Sequence, residues 1–191
     1  MNIEHRGFWL TGCVRIFAVS LFGALALGVS GCAAPASKEG MSVDTGEAIM
    51  APAEFPLKGT VTVGAVSGGE ETNPMWTSEV GNEAFRGALE SSMRAGDLLA
   101  ATGAAKYRLN ASLLNLQQPL FGLDMRVNSK VRYELISIAG GDRLFEETID
   151  AGYTATVGQA FLGVERLRLA NEGAIRENIK KLIERLHRFP N

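Results

Sequence analysis

Cysteine is nearly absent from this sequence: the two that occur, Cys13 and Cys32, both lie near its start. The body of the chain therefore has no thiol for a disulfide, a thiolate-bound zinc or a cysteine nucleophile. Histidine is equally scarce, and His187 is the only one after His5. A catalytic zinc site is not expected, because such sites are built from several histidine or cysteine ligands.

An excess of charge of one sign is also missing. The chain has 19 basic and 21 acidic residues, a formal net charge of −2, so nothing in its composition indicates a nucleic-acid partner. Its 191 residues are 46% hydrophobic, which is enough for one domain of ordinary size with a core.

The first 31 residues have the layout of an export signal peptide. A polar, mildly basic start is followed by an apolar run from Ile16 to Leu27, which is shorter than the roughly 20 residues a membrane-spanning helix needs. Val-Ser-Gly-Cys comes next and ends at Cys32. This sequence resembles the lipobox of bacterial lipoproteins, in which the peptidase cuts before the cysteine and the thiol is acylated. Two alternatives remain: an ordinary signal cleaved near Ala33 and Ala34, or an uncleaved N-terminal helix.

Acylation at Cys32 predicts a protein held to a membrane by lipid. One buried acyl chain binds marginally, whereas two or three hold firmly. The residue after the cysteine is Ala33 rather than aspartate. By resemblance to lipoprotein sorting in Gram-negative bacteria, this favours the periplasmic face of the outer membrane.

Residues 32–56 are rich in Ala, Pro, Gly, Ser and Glu and show no apolar periodicity. Such a composition predicts a flexible tether that would hold the following domain roughly 25–30 Å from the bilayer. Residues 57–191 are then expected to form a single periplasmic domain.

The hydrophobic pattern of that domain predicts an α+β fold. Alternating apolar residues indicate strands over 59–66, 106–116, 123–138 and 143–155, and helical periodicity indicates helices over 78–102 and 158–188. Thr156 and Gln159 would form a capping box at the start of the second helix. The order β-α-β-β-β-α favours a mostly antiparallel four-stranded sheet with both helices on one face.

No convincing catalytic constellation emerges from the residues. Ser67 lies in a glycine-rich turn without a nucleophile-elbow pattern, and His187 lies in the last turn of the predicted C-terminal helix, where a surface position is favoured. Glu146 and Glu147 are neighbours in a strand and point to opposite faces. We expect no catalytic residue, no metal site and no cofactor.

Two surfaces are candidates for binding. The first is the connection 119–123, apolar for a loop, together with Trp76; Leu120 and Phe121 are its predicted contact residues, since exposed apolar loops often mark partner or membrane contacts. The same loop could instead fold under a helix end. The second is the polar face of the long strands, with Arg108, Arg126 and Arg132 among its residues, where an ordinary solvated face is the favoured interpretation over a polyanion site.

Three features together resemble a known group: the lipobox ending at Cys32, the long strand Met125–Leu135, and the stretch from Ala160 to Ala174 that leads into the last helix. The chain is similar to small Gram-negative envelope lipoproteins of the YajG-like type and, more loosely, to auxiliary lipoproteins of lipid-transport and lipopolysaccharide-assembly machines. The last stretch looks alphaproteobacterial. The resemblance implies a lipidated cysteine before an α+β sandwich with a C-terminal helix, and fold alone does not imply function.

The resulting hypothesis is a non-catalytic outer-membrane lipoprotein, a binding or assembly and transport accessory factor that meets an envelope protein or glycolipid. One alternative is an envelope enzyme that acts on sugars or lipids through two carboxylates in a cleft. The other is a purely structural tether.

Overall fold

The computed structural model describes residues 33–73 and 77–189. Three helices and four strands follow one another there: α1 Lys38–Met41, β1 Val61–Ser67, α2 Asn82–Ala95, β2 Tyr107–Gln117, β3 Met125–Ser137, β4 Arg143–Ala155 and α3 Gly163–Leu186. Each of the four predicted strands is present within two residues of its predicted bounds. The prediction succeeds because strict alternation of apolar and polar residues is compatible only with extended chain that has one buried face.

The strands form one sheet in the order β1-β2-β3-β4. β1 pairs parallel with β2 through the α2 crossover, and the other two pairs are antiparallel. In β3 every second residue from Met125 to Leu135 is buried, and α2 and α3 cover this face. The predicted α+β class with a mostly antiparallel sheet is therefore confirmed.

Both long helices are shorter than the sequence predicts. α2 ends at Ala95 rather than near residue 102, because Asp97 adopts a left-handed backbone (φ 59°) that turns the chain back toward β1. The backbone N–H of Val61 then donates to the Leu98 carbonyl at 3.0 Å. Aspartate is one of the few residues that tolerates this conformation, and a pattern of apolar spacing does not reveal it.

α3 begins at Gly163, five residues after its predicted start. Half of the expected capping box forms, since the Thr156 N–H donates to Gln159 Oε1 at 3.0 Å, but it closes a separate turn. The Arg166 guanidinium donates to the carbonyls of Ala160 (2.8 Å) and Phe161 (2.6 Å). These carbonyls are thus satisfied by a side chain, and the chain between the turn and α3 stays non-helical.

Residues 33–60 differ from the flexible tether that their composition predicts. We call this segment the strap, because it lies against α2 and α3 and belongs to the same compact unit as the sheet. Met41 and Leu57 are fully buried, and the Val43 N–H donates to Ser92 Oγ of α2 at 2.9 Å. Isolated apolar residues and backbone hydrogen bonds fix the strap. A search for regular apolar periodicity misses both of these.

A polar network lies under α3 inside the otherwise apolar core. Tyr133 Oη donates to Asn178 Oδ1 at 3.0 Å, and Asn178 Nδ2 donates to the Ile149 carbonyl at 2.9 Å and to Ser129 Oγ at 3.1 Å. Burial raises the pKa of the Tyr133 hydroxyl. The network fixes the position of α3 against β3 and β4, because any shift of the helix would leave buried polar groups without partners.

Candidate functional site

Two connecting loops meet at one end of the sheet. The β2–β3 connection (118–124) and the β4–α3 connection (156–162) are adjacent because Met125 pairs with Ala155 in the sheet. Asp124 Oδ1 also accepts a hydrogen bond from the Val157 N–H at 3.3 Å. We call these two connections together the loop end.

The loop end exposes large apolar side chains. The exposed fractions are 95% for Leu120, 87% for Phe121, 80% for Leu123, 87% for Phe161 and 52% for Leu162. Asp124 is the only charged residue in either loop. Several large, exposed apolar side chains at one end of a domain are typical of a membrane or partner contact rather than of a solvated turn.

The bases of the loops are fixed while their tips are exposed. Gln118 Nε2 lies 3.0 Å from the Ser78 carbonyl, 3.2 Å from Glu79 Oε2 and 3.2 Å from Asn171 Oδ1. Asn171 Nδ2 in turn donates to the Ser78 carbonyl at 2.7 Å. On the other loop, Arg166 holds two carbonyls as described above. The tips are therefore presented from rigid bases.

The strap begins beside the same bases. The Ala36 N–H donates to the Glu79 carbonyl at 3.0 Å, so the strap and Gln118 share Glu79 as a partner. Ser37 donates from its backbone N–H (2.7 Å) and its hydroxyl (2.8 Å) to Glu172 Oε1 on α3. The chain thus enters the domain next to the loop end and then runs away from it.

Glu172, whose carboxylate accepts the hydrogen bonds from Ser37, is part of an ion network on α3. Arg168 pairs with both Glu165 and Glu172, and the Glu172 side chain is only 5% exposed. The hydrogen bond from Arg168 holds the pKa of Glu165 below its usual range, and the same bond raises the pKa of Arg168. The Glu172 side chain therefore accepts hydrogen bonds from both Ser37 and Arg168, and all of them reach the same oxygen, Oε1.

Leu120 and Phe121, the predicted contact residues, lie at the loop end and are exposed, while their contact with a partner stays a prediction. The alternative that their loop folds under a helix end is wrong. Cys32 and Trp76 lie outside the described residues, so the lipidation site and the proposed contribution of Trp76 stay predictions. The sequence reasoning missed Phe161 and Leu162, because it placed them inside the last helix. Their position between Gly158 and Gly163 is the feature that could have identified them as loop residues.

One small cleft brings two carboxylates near each other. It has a volume of about 210 Å³, lies between β2 and the segment before α2, and includes Glu70 and Glu79. Burial, reinforced by the Glu70 carboxylate, raises the pKa of Glu79, while hydrogen bonds from Thr77 and Gln118 oppose the rise. His187 is remote from the cleft: its ring stacks on Phe55 with centroids 5.1 Å apart, and its Nε2 lies 3.0 Å from the Ile49 carbonyl.

The polar face of the sheet carries charges of both signs. Lys130 lies 3.6 Å from Asp150, and Arg143 pairs with Glu134 at 3.0 Å and with Glu146 at 2.8 Å. This mixture fits a solvated face better than a polyanion site. Within residues 33–73 and 77–189 there is no cluster of three or more potential metal ligands, and no helix is long and apolar enough to cross a membrane.

Comparisons with known proteins show the fold. No family model and no curated protein matches the chain. A Xanthomonas campestris protein of the DUF330 family matches with a TM-score of 0.51 at 9% identity, over 71% of this chain and 88% of its own. A Caulobacter crescentus protein named as a lipoprotein matches with a TM-score of 0.48 at 14% identity, over 67% and 88%. A minor lipoprotein from Acinetobacter baumannii matches with a TM-score of 0.44 at 9% identity, over 69% and 92%.

Of these three, the Xanthomonas protein is the one whose TM-score exceeds 0.5. At 9% identity that likeness shows a shared α+β fold and nothing about function.

Proposed function

We propose that this protein is a non-catalytic lipoprotein of the Gram-negative outer membrane, acylated on Cys32 and facing the periplasm. In this role it serves as a binding or assembly accessory factor for another envelope component, a protein or a glycolipid. The observation that carries the proposal is the entry of the chain at the loop end. The lipobox cysteine immediately precedes a strap that begins beside exposed apolar loops.

The intact mass of the protein recovered from its native envelope tests the anchor. We expect a chain that begins at Cys32 and carries the added mass of a diacylglyceryl group and an amide-linked acyl chain. A Cys32→Ser variant should keep the leader and lose the acyl mass. Retention of residues 1–31, or a new N-terminus without acyl mass, would contradict the proposal.

Separation of inner and outer membranes on a density gradient tests the location. We expect the native protein in the outer-membrane fraction. An Ala33→Asp variant is the matched control, since aspartate after the cysteine is expected to retain the protein at the inner membrane. Recovery of the native chain from the inner membrane would contradict the outer-membrane assignment.

The carboxylate-enzyme alternative has the Glu70–Glu79 cleft as its candidate site. Glu79 already makes structural contacts there, including its carbonyl with the strap and its carboxylate with Gln118. A Glu70→Gln, Glu79→Gln double variant discriminates between the two functions. The accessory role predicts that the double variant still recovers the same partner by crosslinking in cells. The enzyme alternative predicts that the double variant loses activity toward an envelope sugar or lipid.

A further inference from the structure

We propose that the loop end inserts into the bilayer beside the lipid anchor and holds the domain against the membrane in one orientation. Leu120, Phe121 and Phe161 would be the inserted side chains. The inference rests on the proposed function, because it requires acylated Cys32. It adds the surface through which the folded domain meets the membrane.

The first argument is the length of chain available between the anchor and the domain. Cys32 is joined directly to Ala33 and precedes Ala36 by four residues. Even a fully extended chain of that length spans at most about 14 Å. Ala36 is hydrogen-bonded to Glu79, which also binds the base of the β2–β3 loop through Gln118. Leu120 is two residues further along, at most about 7 Å from Gln118. An anchor at Cys32 therefore brings this end of the domain to the bilayer.

The strap removes the slack that a flexible tether would have given. Met41 and Leu57 are buried against the helices, and Ser37 is bonded to Glu172. The domain cannot move away from the membrane without unpacking these contacts. The anchored domain thus stays near the membrane surface, with its loop end facing the bilayer.

The chemistry of the loops suits the interfacial region of a bilayer. The tips present leucine and phenylalanine, and their one charged residue, Asp124, is engaged with the Val157 N–H. Apolar and aromatic side chains enter the headgroup and acyl boundary to a depth of roughly 5–10 Å. The loop backbone remains at the level where water and headgroups satisfy its polar groups.

Rigid bases make the insertion specific in orientation. Arg166 and Gln118 hold the two loops from behind, so the tips do not need to become ordered on contact. The opposite end of the domain is different. β3 spans 13 residues, so the β3–β4 turn at its far end lies roughly 40 Å from the loop end.

Environment-sensitive labels at the two ends test the inference. An acylated sulfur does not react with maleimide dyes, so a Phe121→Cys variant would have one reactive thiol in the mature chain. The matched control is Ala139→Cys in the exposed β3–β4 turn. Both acylated proteins are placed in vesicles of phosphatidylethanolamine with phosphatidylglycerol as the minor component. Quenching by doxyl-labelled lipids is then compared with quenching by aqueous iodide.

We expect doxyl lipids to quench the label at residue 121 at least about threefold more than the label at residue 139, with iodide showing the reverse order. Equal quenching at the two positions in a protein that carries acyl mass would overturn the inference and leave the proposed function standing. Absence of acyl mass from the same preparation would overturn both. Shielding of residue 121 in native envelopes but not in pure lipid vesicles would reject the bilayer in favour of a protein partner. Concentration-dependent energy transfer between labels would reject it in favour of a second copy.

A second variant separates insertion from folding. Leu120→Asp combined with Phe121→Asp, read by a label at Phe161→Cys, should reduce doxyl quenching by about threefold or more, because charged tips are excluded from the acyl region. Ile138→Asp, an exposed apolar residue near the opposite end, is the matched control and should leave the quenching unchanged. Circular dichroism confirms that each variant is folded. Undiminished quenching in the double variant would overturn the inference.

Discussion

The burial of the strap and the exposure of the loop end are the opposite of what their compositions suggest. The strap is rich in small and polar residues, yet Met41 and Leu57 within it are fully buried. The loop end is apolar, yet Leu120 and Phe121 are among the most exposed of the large apolar side chains described. In these two segments, composition therefore does not decide which one is buried. What decides it is whether the folded elements supply a groove and hydrogen-bond partners, as α2 and α3 do for the strap.

The strap and the loop end also differ in what their side chains contact. The strap helps to hold the domain together. Met41 and Leu57 are buried in the core, and backbone N–H groups of the strap donate to Ser92, Glu79 and Glu172. The apolar tips of the loop end remain available for something outside the domain.

Met41→Ala should cause the largest loss of stability. The side chain is fully buried between the strap and the helices, and its removal leaves a cavity. We expect the free energy of unfolding to fall by about 2–4 kcal/mol, measured by urea denaturation. Met50→Ala is the control in the same segment, since Met50 is 48% exposed, and it should change stability by less than about 0.5 kcal/mol. Equal effects at the two positions would mean that the strap is not packed.

Glu172→Gln should loosen the start of the strap. The substitution keeps the shape of the side chain but removes the charge that Ser37 and Arg168 share, so we expect a loss of about 1–2 kcal/mol. Trypsin cleavage after Lys38 should become faster. Glu184→Gln, on the same helix, removes the same charge from a partly exposed site and is the control. Unchanged cleavage at Lys38 would show that the Glu172 contact does not hold the strap.

Glu79→Gln should have a smaller, pH-dependent effect at the point where strap and loop share a partner. Burial raises the pKa of Glu79 above its usual value of 4.5, so ionisation in the folded state costs stability at neutral pH. That cost is fully present above the folded pKa and disappears as pH falls below the ordinary carboxyl value. We expect the variant to be more stable than the native chain at pH 7, by less than about 1 kcal/mol because the carboxylate is partly solvated.

Thermal unfolding of both chains at a series of pH values checks this sign. The stability difference should shrink as the solution becomes acidic. Glu71→Gln, at an exposed neighbouring position, is the matched control for the loss of one carboxylate. A Glu79→Gln variant that is less stable than the native chain at pH 7 would mean that the Gln118 contact outweighs the burial of the charge.

Leu120→Ser combined with Phe121→Ser should have the smallest effect on folding. Both side chains are exposed, so the free energy of unfolding should change by no more than about 0.5 kcal/mol. The same urea denaturation measures it, and Leu57→Ser in the strap is the contrasting control with a loss of several kcal/mol. Strong destabilisation by the loop variant would show that the tips pack on the domain.

The sequence predicted the sheet far better than the segments that flank it. The alternation in β3 fixes both the strand and the face it buries, whereas α3 begins at Gly163 because the Arg166 side chain takes the carbonyls that would have started the helix earlier. Phe161 was therefore assigned to a helix instead of to the candidate site. Leu120 and Phe121 were identified because an apolar run inside a turn is visible locally. That they share one end with Phe161 follows only from the pairing of β3 with β4.

The α+β class, the four strands and the buried face of the sheet can be read from the sequence, because a period of two is encoded in consecutive residues. The packing of residues 33–60 as a strap, and the meeting of two exposed apolar loops beside it, are seen only in the folded structure. The physical reason is that burial of an aperiodic segment depends on a groove made by distant residues. Ser92 lies 49 positions after Val43, and Glu172 lies 135 after Ser37, so no local pattern records these contacts.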